Sequence, residues 1–191
     1  MDSWIFWGVI GAVVLTLIFI YNRLVSLNQK RNNAFSDIDV QLKQRFDLVP
    51  NLVETVKGYA DHENEVFTKV TEARAQVGKN QGGVNPDAGR MNAESMLGGA
   101  LVDLFAVAEN YPDLKADANF RELQQELSDI ENKIAAARRF FNSATAEYNA
   151  AIQQFPAVLF AGTFGFKEEE FFELDPATSE EVKTAPDIKF D

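Results

Sequence analysis

Asn28–Val77, NQKRNNAFSDIDVQLKQRFDLVPNLVETVKGYADHENEVFTKVTEARAQV, is the stretch that decides the fold. Its apolar positions are Phe35, Ile38, Leu42, Phe46 or Val49, Leu52, Val56, Tyr59, Val66, Val70, Ala73 and Val77. They recur at steps of three and four, so one helical face needs a partner. Pro50 lacks an amide hydrogen and disfavours helix at Val49, which predicts a kink or short break there, with Asp47 capping the helix that resumes. The resumed helix is expected to run through Gly58 to Val77, where Gly78 stands in the position of a C-terminal stop.

Upstream, Trp4–Tyr21 (WIFWGVIGAVVLTLIFIY) holds 18 residues without a charge. At about 1.5 Å per residue that is roughly 27 Å, close to the hydrocarbon thickness of a bilayer. Trp4, Trp7 and Tyr21 sit near its ends, where amphipathic rings favour the interface. A buried core helix and a cleaved signal peptide are the alternatives. The short Met1-Asp2-Ser3 start has no basic residue, and Tyr21-Asn22-Arg23 offers no small-residue cleavage site, so an uncleaved anchor is preferred. Arg23, Lys30 and Arg31 follow the span and no Lys or Arg precedes it. The positive-inside rule then puts the N-terminus outside and the body in the cytoplasm of an inner (plasma) membrane protein. Gly8 and Ala12 form a small-xxx-small pair that lets two anchors approach.

Downstream, Gly78–Gly89 (GKNQGGVNPDAG) reads as an inter-helix loop. It lacks the G-x-x-x-x-G-K-[ST] spacing of a phosphate loop and follows no strand. A third helix is expected over about Met91–Glu109, buried through Leu97, Leu101, Leu104, Phe105 and Ala108. Asn119 with Glu122 resembles a capping box opening the fourth. There Phe120, Leu123, Leu127, Ile130, Ile134, Ala137, Phe141, Ala144, Tyr148, Ala151 and Phe155 alternate in steps of three and four, a heptad seam about 50 Å long. The mean step of 3.5 residues predicts left-handed packing at shallow angles.

The fold class that follows is all-α: an N-terminal transmembrane helix, a long antiparallel bundle of three to four helices, and an irregular acidic tail. The expected units are residues 1–22 (anchor), 23–155 (bundle, with a loop at about 78–90) and 156–191 (tail). Phe155–Asp191 holds seven of the 16 Phe, and Lys167–Asp191 has nine acidic against three basic residues. Phe155–Phe166 is too short to span a bilayer; packing on the bundle end is preferred over lying in the membrane interface. The last residues, Ala185–Phe190, resemble an extended peptide able to add to another chain's surface.

Composition narrows the chemistry. Among 191 residues there is no Cys and one His, His62, which excludes thiolate metal sites and catalytic His pairs. A net charge of -11 opposes nucleic-acid binding. Arg45, Asp47, Asn51, Glu54, His62 and Glu63 form the one polar cluster that invites a site. Asp61, His62, Glu63 and Glu65 are metal-ligand types, but a second His is missing and a solvated face explains them better. Arg45 and Glu63 are expected to pair between helices and set register, as Arg138 and Arg139 would with facing carboxylates.

The blocks QLKQRFDLVPNLV (41–53), VKGYADHE (56–63), ENYPDLK (109–115), FRELQ (120–124), IENKI (130–134), ARRFFN (137–142) and Tyr148-Asn149 resemble the LemA family. The resemblance covers about Leu24–Glu173; Phe46 and Phe141 stand where more polar aromatics or His are expected. It implies a bacterial envelope protein with one N-terminal span and a cytoplasmic helical bundle, and no particular activity. Family associations with magnetosome membrane proteins and with a membrane zinc peptidase point to assembly or adaptor work. The expected function is therefore a membrane-anchored scaffold or adaptor that self-associates and binds a partner, without catalysis or cofactor. The alternative is an enzyme, or a regulatory subunit of a membrane peptidase, using the Arg45–Glu63 region. Besides the anchor residues, the interaction and packing candidates are Arg45, Asp47, Pro50, Asn51, His62, Glu63, Arg138, Phe141, Tyr148 and Phe190.

Overall fold

A computed structural model of the chain describes residues 3–60, 62–80, 82 and 87–172. The described residues form an all-α fold: α1 (Ser3–Lys57), α2 (Asn64–Lys79), α3 (Ala88–Ala108), the short α4 (Pro112–Ala116) and α5 (Ala118–Gln153), followed by a 3-10 turn at Ala157–Leu159. α1 packs chiefly on α5, and α2 on α3. The α1–α5 pairing is antiparallel: Lys30 meets Glu147, Phe35 meets Phe141, Arg45 meets Glu131, and Tyr59 meets Asp117. The heptad seam of α5 is buried from Phe120 through Leu127, Ile130, Ile134, Phe141, Ala144, Tyr148 and Ala151. Phe155 departs from it: α5 ends at Gln153 and Phe155 is 80% exposed.

α1 continues as helix through Pro50, so the short break offered by the sequence as one outcome does not occur. Proline there leaves the Phe46 carbonyl without its usual donor four residues on. The Arg74 Nε of α2 donates to that carbonyl at 3.1 Å, and its guanidinium lies 3.9 Å from the Phe46 ring centroid. The orphan left by Pro50 thus becomes one of the contacts between α1 and α2. Asp47 is not a cap; it sits inside α1, 3.2 Å from Lys43.

The helix stops at Lys57 instead, with turns at residues 58–59 and 62 before α2 begins. Gly58, read as interior, falls in the first of these. Asp117, two residues before the expected Asn119, caps α5 by accepting from the Phe120 amide at 2.9 Å. Asp87 caps α3 in the same way through Arg90.

α1 and α5 are longer than the α2–α3 pair, so the groove between them outruns the four-helix section. The chain beyond α5 fills it. Ala157 and Ala161 bury against Ile20, Leu24, Tyr148, Ala151 and Ile152, with Phe166 packed beside them. Residues 166–172 then return along α5 to Phe172, which is buried against the Phe141 ring.

Candidate functional site

The residues proposed for membrane contact occupy a free-standing rod. None of Ser3–Phe19 is buried, and burial in α1 starts at Ile20. Trp4 is 71% and Trp7 68% exposed, and a Cβ on Gly8 would meet no atom within 4 Å. Ala12 is likewise exposed. Tyr21 differs, since its ring packs edge-on against Phe164 at 5.5 Å and beside Phe166 at 5.7 Å. Eleven large apolar side chains between Trp4 and Phe19 lie open. At about 1–1.5 kcal/mol for each half-exposed side chain, lipid is favoured over water by on the order of 10–15 kcal/mol. That equals the whole stability of a typical domain. The helix is long and apolar enough to cross a membrane.

The polar cluster from Arg45 to Glu63 is divided. Arg45 lies in mid-bundle, about 18 Å of helix from the end of α1, whereas His62 and Glu63 lie between α1 and α2. His62 is exposed; Glu63 accepts from the Tyr111 hydroxyl at 3.3 Å and does not meet Arg45. Asn51 is exposed on α1. Among the described residues no three His, Asp or Glu side chains converge to hold a metal; Asp61 and Phe190 lie outside those residues.

Arg45 instead joins three helices. Its Nη2 donates to Glu94 Oε2 of α3 at 2.5 Å and its Nη1 to Glu131 Oε1 of α5 at 2.7 Å. Burial lowers the Arg45 pKa, but Glu131 and then Glu94 outweigh it, leaving the guanidinium above its ordinary value. Arg138 shares these carboxylates at longer range; burial, then repulsion from Arg45, pushes its pKa down. An open groove of about 290 Å³ beside this cluster is lined by Asp39, Leu42, Lys43, Arg90 and Glu94. Arg90 itself is paired with Asp39.

Toward the membrane end, guanidinium groups and rings alternate. Arg90 stands 5.4 Å over Phe35, Phe35 meets Phe141 at 5.6 Å, Arg31 stands 5.0 Å over Phe141, and Arg138 lies 4.7 Å over Phe172. Phe141, Tyr148 and Arg138 therefore contact the chain's own returning segment. Arg31, 1% exposed, reaches Glu169 of that segment at 3.0 Å.

Two residues that the sequence reading gave no role hold the segment down. Asn142 donates to the Phe172 carbonyl at 3.1 Å and accepts from the Phe172 amide at 2.8 Å. Asn149, one heptad on, does the same for Glu169 at 2.9 and 3.0 Å. Each side-chain amide thus satisfies a backbone donor and acceptor together, as a neighbouring strand would. A spacing of seven with asparagine at both places, beside the buried seam, was the available signal.

Among families, the model described as LemA family matches residues 34–190. Magnetosome protein MamQ of Magnetospirillum gryphiswaldense is 29% identical over 188 residues, covering 87% of this chain and 69% of the relative. Magnetosome protein MamQ 2 of Paramagnetospirillum magneticum is 26% identical with the same coverage. Protein LemA of Metamycoplasma hominis is 28% identical over 134 residues, which is 70% of this chain and 60% of that one.

Proposed function

Since the chain belongs to the LemA family, and its polar clusters are spent on holding helices together, we propose that it is a single-pass membrane-anchored scaffold or adaptor without catalysis of its own. The carrying observation is the unpartnered rod Ser3–Phe19, continuous with a bundle whose buried arginines all face the chain's own carboxylates or rings. Exposed Lys and Arg at the bundle end of the rod and none before it favour an outside N-terminus and a cytoplasmic body at a bacterial inner membrane. Open space around Gly8 supports self-association through the Gly8–Ala12 face. Relatives named as magnetosome proteins support work on the organisation of a membrane, and a membrane-protein partner is in keeping with it.

Crosslinking in native membranes tests this reading, with the full chain, a Gly8→Ile variant and a chain ending at Glu173. Self-crosslinks that weaken in Gly8→Ile, or partner adducts lost on truncation, are expected. Monomer without any adduct in all three refutes it. The alternative of an active site over Arg45–Glu63 loses support from the separation of those residues; substituting His62 is expected to leave both phenotype and stability unchanged.

A further inference from the structure

The turn that caps the bundle at the membrane end is half covered. Ala157, Ala161 and Phe166 face the protein, whereas Phe155, Val158, Leu159 and Phe164 are 80%, 51%, 62% and 41% exposed. These four side chains stand beside the place where α1 leaves the bundle. Ala157 and Ala161 pack on Ile20 and Leu24, and Phe164 packs on Tyr21, the last residue of the apolar run. Charge disappears from both segments at this level. On α1 the first charged residue after the run is Arg23, and between Glu147 and Lys167 there are 19 residues without a charge. Arg23 and Lys167 are both exposed, so the apolar patch has a basic border. Of the acidic groups that follow, Glu169 meets Arg31 on the bundle side, Glu168 accepts from Gln153 at the end of α5 at 2.6 Å, and Glu170 is exposed.

We infer that the turn 155–166 is a second membrane contact, with Phe155, Val158, Leu159 and Phe164 entering the boundary between headgroups and acyl chains beside α1. The inference rests on the anchored reading above and adds the depth and orientation at which the bundle sits. Lipid is the occupant because the patch is continuous with the lipid-facing helix and lies in its exit plane. Interfacial elements of this kind bury an apolar face about 5–10 Å deep and gain from basic residues near anionic headgroups. The result is a two-point mount: α1 sets position, and the turn sets rotation about it.

The absence of cysteine allows single labels in the full-length chain. Val13→Cys, Val102→Cys, Val158→Cys and Leu159→Cys variants, each carrying a nitrobenzoxadiazole dye, are reconstituted in vesicles of phosphatidylethanolamine and phosphatidylglycerol with or without bromo-acyl lipid. Val13 lies mid-span, and Val102 is an exposed position on α3, about 45 Å of helix from Tyr21 by its level along α1. The expected result is blue-shifted emission and roughly twofold quenching at 158 and 159, as at 13, with none at 102. Unquenched, water-like emission at 158 and 159 with quenching at 13 overturns the inference and leaves the anchor intact. Blue-shifted but unquenched emission there also overturns it, because a second protein copy then covers the patch. No quenching at 13 refutes the anchored reading, and this inference falls with it.

Discussion

Replacing Glu94 by Gln removes one charge from the middle of the bundle while keeping its shape. Glu94 is 2% exposed and Arg45 3%, so the pair is out of water, whereas the other carboxylate on Arg45, Glu131, is 44% exposed. Breaking a buried pair costs about 3–5 kcal/mol when nothing remains for the survivor. Here Glu131 remains, but Arg138 already repels Arg45 and loses a shared counter-charge as well. A loss of about 2–4 kcal/mol is expected, set against less than about 1 kcal/mol for Glu131→Gln at the rim. For a bundle of this size that is a fall in Tm of about 5–12 °C. Urea unfolding of the full chain in micelles, followed by far-ultraviolet circular dichroism, reads both; the two Trp lie in the anchor and would not report on the bundle. The double variant Arg45→Met/Glu94→Met is expected near the parent, because a well-packed apolar replacement escapes the desolvation cost. Equal losses for Glu94→Gln and Glu131→Gln, or a double variant worse than Glu94→Gln, would refute the reasoning. Because Glu131 and Glu94 raise the Arg45 pKa, its contribution is complete below the ordinary arginine value while those carboxylates are ionised and is lost as pH climbs through the raised value, so the losses are expected to be flat across neutral pH.

Asn142→Ala with Asn149→Ala removes four hydrogen bonds to the returning segment, and faster amide exchange at Glu169 and Phe172 is expected with the α1–α5 core still protected. Uniform loss of protection would contradict this. Arg74→Ala leaves the Phe46 carbonyl unmet and removes the ring contact, for a loss of about 1–3 kcal/mol; restoring the amide donor with Pro50→Ala in that background is expected to recover part of it by the same unfolding assay. Asp117 has its pKa lowered first by the Phe120 amide and then by the Tyr59 hydroxyl. A depressed carboxyl stabilises above its unfolded value and loses this as pH falls through the folded one. Acid titration of Tm is thus expected to steepen below about pH 4 and to flatten there in Asp117→Asn.

The parts of the fold legible in sequence are those fixed by periodicity. The α5 seam needed only steps of three and four, and the anchor needed only length without charge. The break offered at Pro50 is absent where the carbonyl that proline leaves unpaired finds Arg74, a residue 28 positions away. Arg45 was recognisable as a seam charge, but its partners come from α3 and α5, and no local spacing selects them over Glu63. Asn142 and Asn149 stayed silent because an amide bound to a backbone looks, in a string of letters, like an amide bound to water. For Phe155–Phe166 packing on the bundle end was preferred over the membrane interface; Ala157, Ala161 and Phe166 do pack inward, while Phe155, Val158, Leu159 and Phe164 stay open.

An unbroken α1 carries a mechanical corollary. Because helix continues through Pro50, about 50 Å of it beyond Arg23 would lean together with an apolar segment held in a bilayer. Local thinning or thickening that leans the span by roughly 10° would sweep the far end of α1 at Lys57 sideways by about 9 Å. Bilayer thickness is thereby converted into displacement at the end farthest from the lipid.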